Sequence, residues 1–201
     1  MMTIRGKNIG FALTGSHCTY EDIWPQVKKL KDAGAEVHPI ASQTVAETTT
    51  RFGVGEEIIA HFAELTGRPV ITTIVAAEPL GPSKILDCLV VAPCTGNSLA
   101  KLANGVTDTA VLMATKTQLR NGKPLVLAIS TNDALGLNAR NIATLLSVQN
   151  VFFVPFGQDN PEAKPRSLVA DMDLIIPTID CALQNRQLQP VLIERKLRAV
   201  R

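Results

Sequence analysis

The most constraining feature of this chain is a polar turn between a buried strand and a helix, at residues 89–108. Residues 89–92 are four apolar residues in a row, typical of a buried strand, and residues 94–98 are all small and uncharged. A helix over 99–103 follows and closes at Asn-Gly, residues 104–105. Open α/β sheets bind ligands at the carboxyl ends of their strands, so we predict that this turn faces a ligand. An ordinary capped connection is the alternative, although capping explains only one or two of the five residues.

Apolar segments that read as strands alternate with helical segments along the whole chain. The expected strands are residues 8–13, 36–41, 89–92, 125–129 and 151–154, with 70–75 as a further strand or extended edge. The expected helices are about 23–30, 56–65, 99–103, 109–119, 138–146 and 168–184. This alternation predicts an α/β fold with a single doubly wound parallel sheet, Rossmann-like or flavodoxin-like, and helices on both faces.

Length and composition favour one domain. The 201 residues contain no repeat or linker, so residues 1–201 are predicted to form a single flavoprotein-like domain with an extended tail at about 187–201. Residues 151–154 are the last clear strand, and Pro177 is expected to kink or interrupt the final helix. Residues 43–53 are expected to form a loop over the site, and 85–86 a helical turn.

Charge and cysteine usage exclude several classes of protein. The net charge of +2 is too small to indicate nucleic-acid or membrane binding. The N-terminus lacks the apolar region of a signal peptide, and no run approaches the roughly 18 apolar residues of a membrane span. The four cysteines form no Cys-x-x-Cys pair and only three histidines are present, so no metal site is expected. These features favour a cytoplasmic protein with reduced thiols.

Small polar residues also follow the other predicted strands. Thr14, Gly15 and Ser16 lie between the first strand and its helix, where backbone N–H groups, hydroxyls and the helix dipole favour a phosphate. Ser42 follows the second strand and is predicted to reach the same phosphate, although it reads equally as an ordinary loop serine. Residues 130–133 follow the fourth strand. Neither a full dinucleotide fingerprint nor a Walker loop is present.

These motifs resemble the family of homo-oligomeric flavin-containing cysteine decarboxylases. The likeness rests on residues 14–16 and on the turn and helix at 93–108. It implies bound flavin mononucleotide (FMN) and a homo-oligomer. It also implies a phosphate site and a site against the flavin ring, formed respectively by Thr14, Gly15, Ser16 and Ser42, and by Pro93, Cys94, Thr95, Gly96, Asn97, Ser98, Ser130, Thr131 and Asn132.

The chain departs from the decarboxylases of that family in two respects. Their Pro-x-Met-Asn-x-x-Met-Trp substrate clamp is absent, and residues 130–136 read Ser-Thr-Asn-Asp-Ala-Leu-Gly instead. None of the three histidines aligns with their catalytic histidine. His17, beside the phosphate loop, is the one catalytic candidate, and a positioning or surface role is the alternative. Cys94 and Gly96 also stand where relatives have alanine.

Longer stretches at 76–82, 130–136 and 154–159 are similar to one branch of this family, found in endospore-forming bacteria. The likeness implies a cytoplasmic oxidoreductase subunit that helps to make pyridine-2,6-dicarboxylate during sporulation, from a dihydro or hydroxylated tetrahydro precursor. It implies a dehydrogenase-like partner that carries NAD(P). Two alternatives remain open: a scaffolding or regulatory subunit with a vestigial flavin pocket, and a flavin-dependent decarboxylase.

A small dicarboxylate substrate calls for a cation at the site, because ammonium and guanidinium groups pair with carboxylates. Lys101, one turn into the helix after the polar turn, and Arg140, one helix beyond Ser130, are the candidates.

Overall fold

A computed structural model describes residues 4–194 of the chain. In chain order its strands are β1 (Asn8–Leu13), β2 (Glu36–Ala41), β3 (Cys88–Cys94), β4 (Leu125–Thr131), β5 (Val151–Phe153), β6 (Phe156–Asn160) and β7 (Lys164–Ala170). Strands β1 to β5 pair in parallel in the order β2-β1-β3-β4-β5, which confirms the predicted doubly wound parallel sheet. Strands β7 and β6 extend the sheet beyond the end of β4 as an antiparallel hairpin, so the sheet as a whole is mixed.

Helices cover both faces of the sheet. They are α1 (Tyr20–Asp32), α2 (Gln43–Glu47), α3 (Gly55–Thr66), α4 (Ile74–Ala77), α5 (Leu80–Ser83), α6 (Gly96–Ala103), α7 (Ala110–Arg120), α8 (Ala139–Leu146) and α9 (Ile175–Ala182). Helix α1 packs against α3 and α9, and α7 packs against α4, α5 and α6. Between these two groups β3 is buried at every position, as expected for a parallel strand covered on both faces. No helix within residues 4–194 is long and apolar enough to cross a membrane.

The hairpin β6–β7 was not predicted, and it corrects two expectations. Residues 164–170 form β7, so the predicted helix over 168–184 was wrong in its first part, and 151–154 is not the last strand. The chain reverses because the side-chain oxygen of Asn160 accepts hydrogen bonds from the backbone N–H groups of Glu162 (3.2 Å) and Ala163 (2.9 Å). Asparagine commonly starts turns in this way.

The final helix is shorter than predicted, and Pro177 does not interrupt it. Helix α9 begins at Ile175, so Pro177 lies in its first turn. Backbone N–H groups in a first turn have no partner within the helix, so a proline there removes no intrahelical hydrogen bond.

Three further local predictions were wrong. Residues 70–75 form no strand beyond a single bridge from Ile71 to Ile40, because Thr73 instead caps α4 by accepting the N–H of Ala76 at 3.1 Å. The helical turn predicted at 85–86 lies earlier, in α5, because Lys84 adopts a left-handed conformation that ends the helix. The predicted loop at 43–53 begins with the short helix α2.

The described part of the C-terminal tail lies along the hairpin. The amide of Gln187 donates to the carbonyl oxygen of Phe153 (2.7 Å) and accepts its N–H (2.8 Å). Leu192 forms a parallel bridge with Phe156. Residues 195–201 of the predicted extended tail lie outside the described residues.

Candidate functional site

The parallel strands bring the carboxyl ends of β1, β2, β3 and β4 to one edge of the sheet, where the polar turns meet. Thr14 joins two of them directly. Its hydroxyl donates to the carbonyl oxygen of Pro93 (2.6 Å) and accepts the N–H of Thr95 (3.0 Å). Tyr20 donates its hydroxyl to the carbonyl oxygen of Thr14 (2.9 Å). Thr14 is buried, and its hydroxyl is engaged within the protein, so it holds the two loops together.

Ser16 and Ser130 meet across the site. Their hydroxyl oxygens lie 2.8 Å apart, and either one is able to donate. One hydroxyl proton makes this bond, which leaves the other for a ligand oxygen. Ser42 follows β2, and its N–H donates to the carbonyl oxygen of Leu13 (3.0 Å). Among residues 4–194 the Ser42 hydroxyl makes no hydrogen bond, although the residue is buried.

The polar turn that dominates the sequence forms the start of α6. Thr95 caps the helix: its hydroxyl accepts the N–H of Ser98 (3.2 Å) and donates to the Ser98 hydroxyl (3.1 Å). Asn97 is exposed, and its amide makes no hydrogen bond within the described residues. The side chain of Asn97 is therefore the free polar group at the helix start.

Gly96 and the loop after β4 pack so closely that no side chain fits at position 96. A Cβ atom there would lie 2.5 Å from Thr131 Oγ1, 2.6 Å from Asn138 Nδ2 and 2.9 Å from Asp133 Oδ1. These contacts bring Thr131 to the first turn of α6, as the predicted site requires. They also explain why glycine stands where relatives have alanine.

The loop after β4 is held by a network that the sequence analysis missed. The amide of Asn138 donates to both carboxylate oxygens of Asp133 (3.0 and 2.8 Å), and Thr131 donates to the same group (2.6 Å). Asn141 in turn donates to the side-chain oxygen of Asn138 (2.9 Å). The signal lay in the spacing, since Asn138 and Asn141 share the helix face of Ile142 and are buried with it.

His17 lies beside the phosphate loop with its ring 5.1 Å from that of Tyr20. Its Nδ1 atom is buried and has no hydrogen-bond partner among the described residues. Burial also lowers the pKa of His17, because desolvation disfavours the charged ring. The imidazole is therefore neutral near pH 7. The structure brings the sequence-predicted His17 to the loop that carries Ser16.

The lowered pKa of His17 predicts a dependence of stability on pH. The unfolded chain takes up a proton near pH 6.5 that the folded ring resists, so folding stability is full above that pH and falls as the pH drops. We expect His17→Gln to reduce the loss of unfolding free energy between pH 7 and pH 5, measured by urea unfolding without added flavin. The neighbouring variant Cys18→Ser removes no basic group and should keep the wild-type slope. An identical slope in His17→Gln would contradict the prediction.

The cysteines at the site differ in exposure. Cys94 is buried, and burial raises the pKa of its thiol to about 12, so it is not a thiolate at neutral pH. Cys18 is exposed, with its sulfur 3.9 Å from Ser16 Oγ. Cys94 therefore acts as a small packing residue. Within residues 4–194 no group of His, Cys, Asp or Glu side chains is arranged to hold a metal ion.

The two cations predicted to bind substrate stand in different situations. The ammonium of Lys101 forms an ion pair with Asp108 at 2.5 Å, which already neutralises its charge. Arg140 is exposed near the start of α8, which packs against α6. The remaining predicted residue, Asn132, accepts a hydrogen bond from Ser167 on β7 (3.3 Å).

The residues at this edge fit a flavin phosphate. Ser16 retains one donor in its bond with Ser130, and the buried hydroxyl of Ser42 has no internal partner among residues 4–194. Gly15 keeps the loop small, since a Cβ atom there would lie 3.3 Å from Thr44. Hydroxyl groups and helix starts are the groups that bind phosphate in other proteins.

Comparison with known proteins agrees with this arrangement. The family described as Flavoprotein matches residues 2–179. The B subunit of dipicolinate synthase from Bacillus subtilis (strain 168) is 56% identical over 194 residues, or 96% of this chain and 97% of that protein. A crystal structure of the same protein from Bacillus halodurans C has a TM-score of 0.89 at 52% identity, and the match covers 97% of this chain and 100% of that one. The FMN-dependent cysteine decarboxylase SpaF shares the fold at 17% identity, with a TM-score of 0.61 over 90% of this chain and 97% of its own. The chain belongs to the Flavoprotein family, in the branch that contains the B subunit of dipicolinate synthase.

Proposed function

We propose that this chain is the flavoprotein subunit of a dipicolinate synthase. It binds FMN and works with a dehydrogenase-like subunit that carries NAD(P), called the partner dehydrogenase below, and the product is pyridine-2,6-dicarboxylate. The observation that carries the proposal is the likeness, at 56% identity over almost the full length of both chains, to a protein named as a subunit of that synthase. Cytoplasmic location and a homo-oligomeric state go with the proposal. The oligomeric state is open to measurement by light scattering.

The site supports FMN binding through groups that are not used up within the protein. Ser16 and Ser42 offer hydroxyls to the phosphate, and Asn97 and Ser98 face the ring from the start of α6. Thr14 acts indirectly, because its hydroxyl is engaged with Pro93 and Thr95. When bound, FMN would supply an acceptor for a hydride.

The reaction removes a hydride and a proton from the ring of the dihydro precursor, and the hydroxylated tetrahydro precursor also loses water. The residues of this chain bind and orient the substrate. His17 is the candidate to accept the proton, since its lowered pKa keeps the ring neutral near pH 7 and a neutral imidazole nitrogen accepts protons.

Flavin binding is tested by titrating FMN into the purified chain and into Ser16→Ala. We expect the wild type to bind FMN and Ser16→Ala to bind it about tenfold more weakly, because a hydrogen bond to a charged phosphate is lost. Ser147→Ala, at the far end of α8, is the matched control and should bind as the wild type does. Absence of FMN binding by the wild type, both alone and with the partner dehydrogenase, would overturn the cofactor assignment.

Activity is tested by supplying the tetrahydro and dihydro precursors to this chain, to the partner dehydrogenase and to their mixture. We expect dicarboxylate to form at full rate only in the mixture. Full turnover by the partner dehydrogenase without this chain would exclude a role for the chain in the reaction.

A scaffolding role is the second candidate, and the chemistry of the site favours it over a decarboxylase. The carboxylate of Asp133 is engaged with Thr131 and Asn138, so within the described residues the site offers no acid–base pair beside His17. Unchanged turnover by Ser16→Ala and Asn97→Ala in the mixture would support the scaffold. A decarboxylase has weaker support, because SpaF at 17% identity indicates the fold alone and the substrate clamp is absent.

A further inference from the structure

The hairpin β6–β7 brings a third cation to the edge of the site. Strand β7 pairs antiparallel with the end of β4, so that Ser130 lies opposite Val169 and Thr131 opposite Leu168. Continued by two residues, this register sets Arg166 beside the loop that follows Thr131. Side chains alternate along a strand, so Arg166 shares the sheet face of Leu168 and Thr131.

Backbone and side-chain contacts hold this part of β7 against the loop. The N–H of Leu135 donates to the carbonyl oxygen of Arg166 (3.0 Å), and the hydroxyl of the fully buried Ser167 donates to Asn132 (3.3 Å). The side chain of Arg166 runs across Gly136, where a Cβ atom would lie 3.8 Å from Cδ and 3.9 Å from Nη1. Arg166 is therefore placed by the same loop whose Asp133 and Thr131 contact Gly96 of α6.

The charge of Arg166 is unpaired, in contrast to those of the cations around it. Within the described residues its guanidinium forms no ion pair. Lys164, two positions earlier on the same face, pairs with Asp159 at 2.9 Å, and Lys101 pairs with Asp108. A guanidinium without a carboxylate partner, set beside a polar cleft, is suited to bidentate binding of a ligand carboxylate.

We infer that Arg166 binds one carboxylate of the dicarboxylate substrate and so selects dicarboxylates over monocarboxylates. This inference rests on the proposed function. Arg166 joins Arg140 as a candidate cation, and Lys101 is set aside because its charge is already paired. The substrate would lie between β7 and the start of α6, on the face that carries Thr131.

The test uses the FMN-loaded complex with the partner dehydrogenase and two probes, pyridine-2,6-dicarboxylate and pyridine-2-carboxylate, titrated by calorimetry. We expect Arg166→Gln to bind the dicarboxylate about tenfold more weakly than the wild type and to bind the monocarboxylate almost unchanged. Arg166→Lys keeps the charge without the planar fork and should fall between them. Lys164→Gln is the matched control on the same strand and should bind both probes as the wild type does.

The outcomes separate this inference from the proposed function. Wild-type complex that binds neither probe would overturn the proposed function and the inference with it. Wild-type complex that binds the dicarboxylate, together with an equal affinity in Arg166→Gln, would overturn only the assignment of Arg166. FMN absorbance and thermal unfolding of each variant show whether a lost affinity comes from the carboxylate contact or from a misfolded hairpin.

Discussion

Replacing Gly96 with alanine is expected to lower the unfolding free energy by about 2 kcal/mol, because the new methyl group has no room. Its Cβ atom would lie 2.5 Å from Thr131 Oγ1 and 2.6 Å from Asn138 Nδ2. Neither group moves freely, since Thr131 donates to Asp133 and Asn138 is buried between Asp133 and Asn141. Urea unfolding measures the loss, and FMN titration should show weaker binding because the loop that moves carries Thr131.

Two further variants separate the clash from other effects of alanine. Gly105→Ala places a methyl group where no atom lies within 4 Å, but at a φ of +70°, so it costs only about 1 kcal/mol of backbone strain. Thr131→Ala removes the nearest clashing atom, so Gly96→Ala combined with Thr131→Ala should lose less stability than the sum of the single losses. A loss for Gly96→Ala no larger than that for Gly105→Ala would contradict the packing argument.

The sequence predicts the parallel part of the fold because its signals are local. Buried parallel strands are continuous apolar runs, and the predicted bounds of β1 and β2 match the observed ones. Polar residues after consecutive strands must meet once the strands are parallel neighbours. The contact of Ser16 with Ser130, 114 positions apart, is therefore a consequence of topology that could be anticipated.

Features that depend on tertiary pairing could not be predicted in this way. Strand β7 has three exposed residues at its start, including Pro165 and Arg166, and so lacks the apolar run of a buried strand. Its state depends on the end of β4, against which Leu168 and Val169 pair. Arg166 was missed as a site residue because its strand was predicted to be the lead-in to a helix.

The roles of individual hydroxyls were also beyond the sequence. Thr14 and Ser16 both look like phosphate ligands, since each follows the same strand. Only the structure distinguishes them: Thr14 bonds to Pro93 and Thr95 inside the protein, and Ser16 retains a donor. The choice depends on the distance between two loops that lie 79 positions apart in the chain.

Replacing Asn138 with aspartate is expected to have the largest effect on stability, a loss of about 3 kcal/mol at pH 7. The change keeps the shape of the side chain. It replaces the amide that donates to both oxygens of Asp133 with a second carboxylate at hydrogen-bond distance. Two carboxylates so close cannot both stay ionised without strong repulsion, so the pKa of the pair in the folded variant rises above that in the unfolded chain.

This rise fixes the direction of the pH dependence of Asn138→Asp. The folded variant then binds more protons than the unfolded chain, so its deficit relative to wild type should shrink as the pH falls from 7 toward 4. Asn138→Ala loses the same hydrogen bonds to Asp133 and Asn141 without adding a charge, so its deficit should stay nearly constant between pH 7 and pH 5. Urea unfolding of the three proteins at several pH values makes the comparison. Parallel deficits for the two variants would mean that Asp133 is not held against position 138 in solution. The loop that carries Thr131 and contacts Arg166 would then be positioned by its pairing with β7 alone.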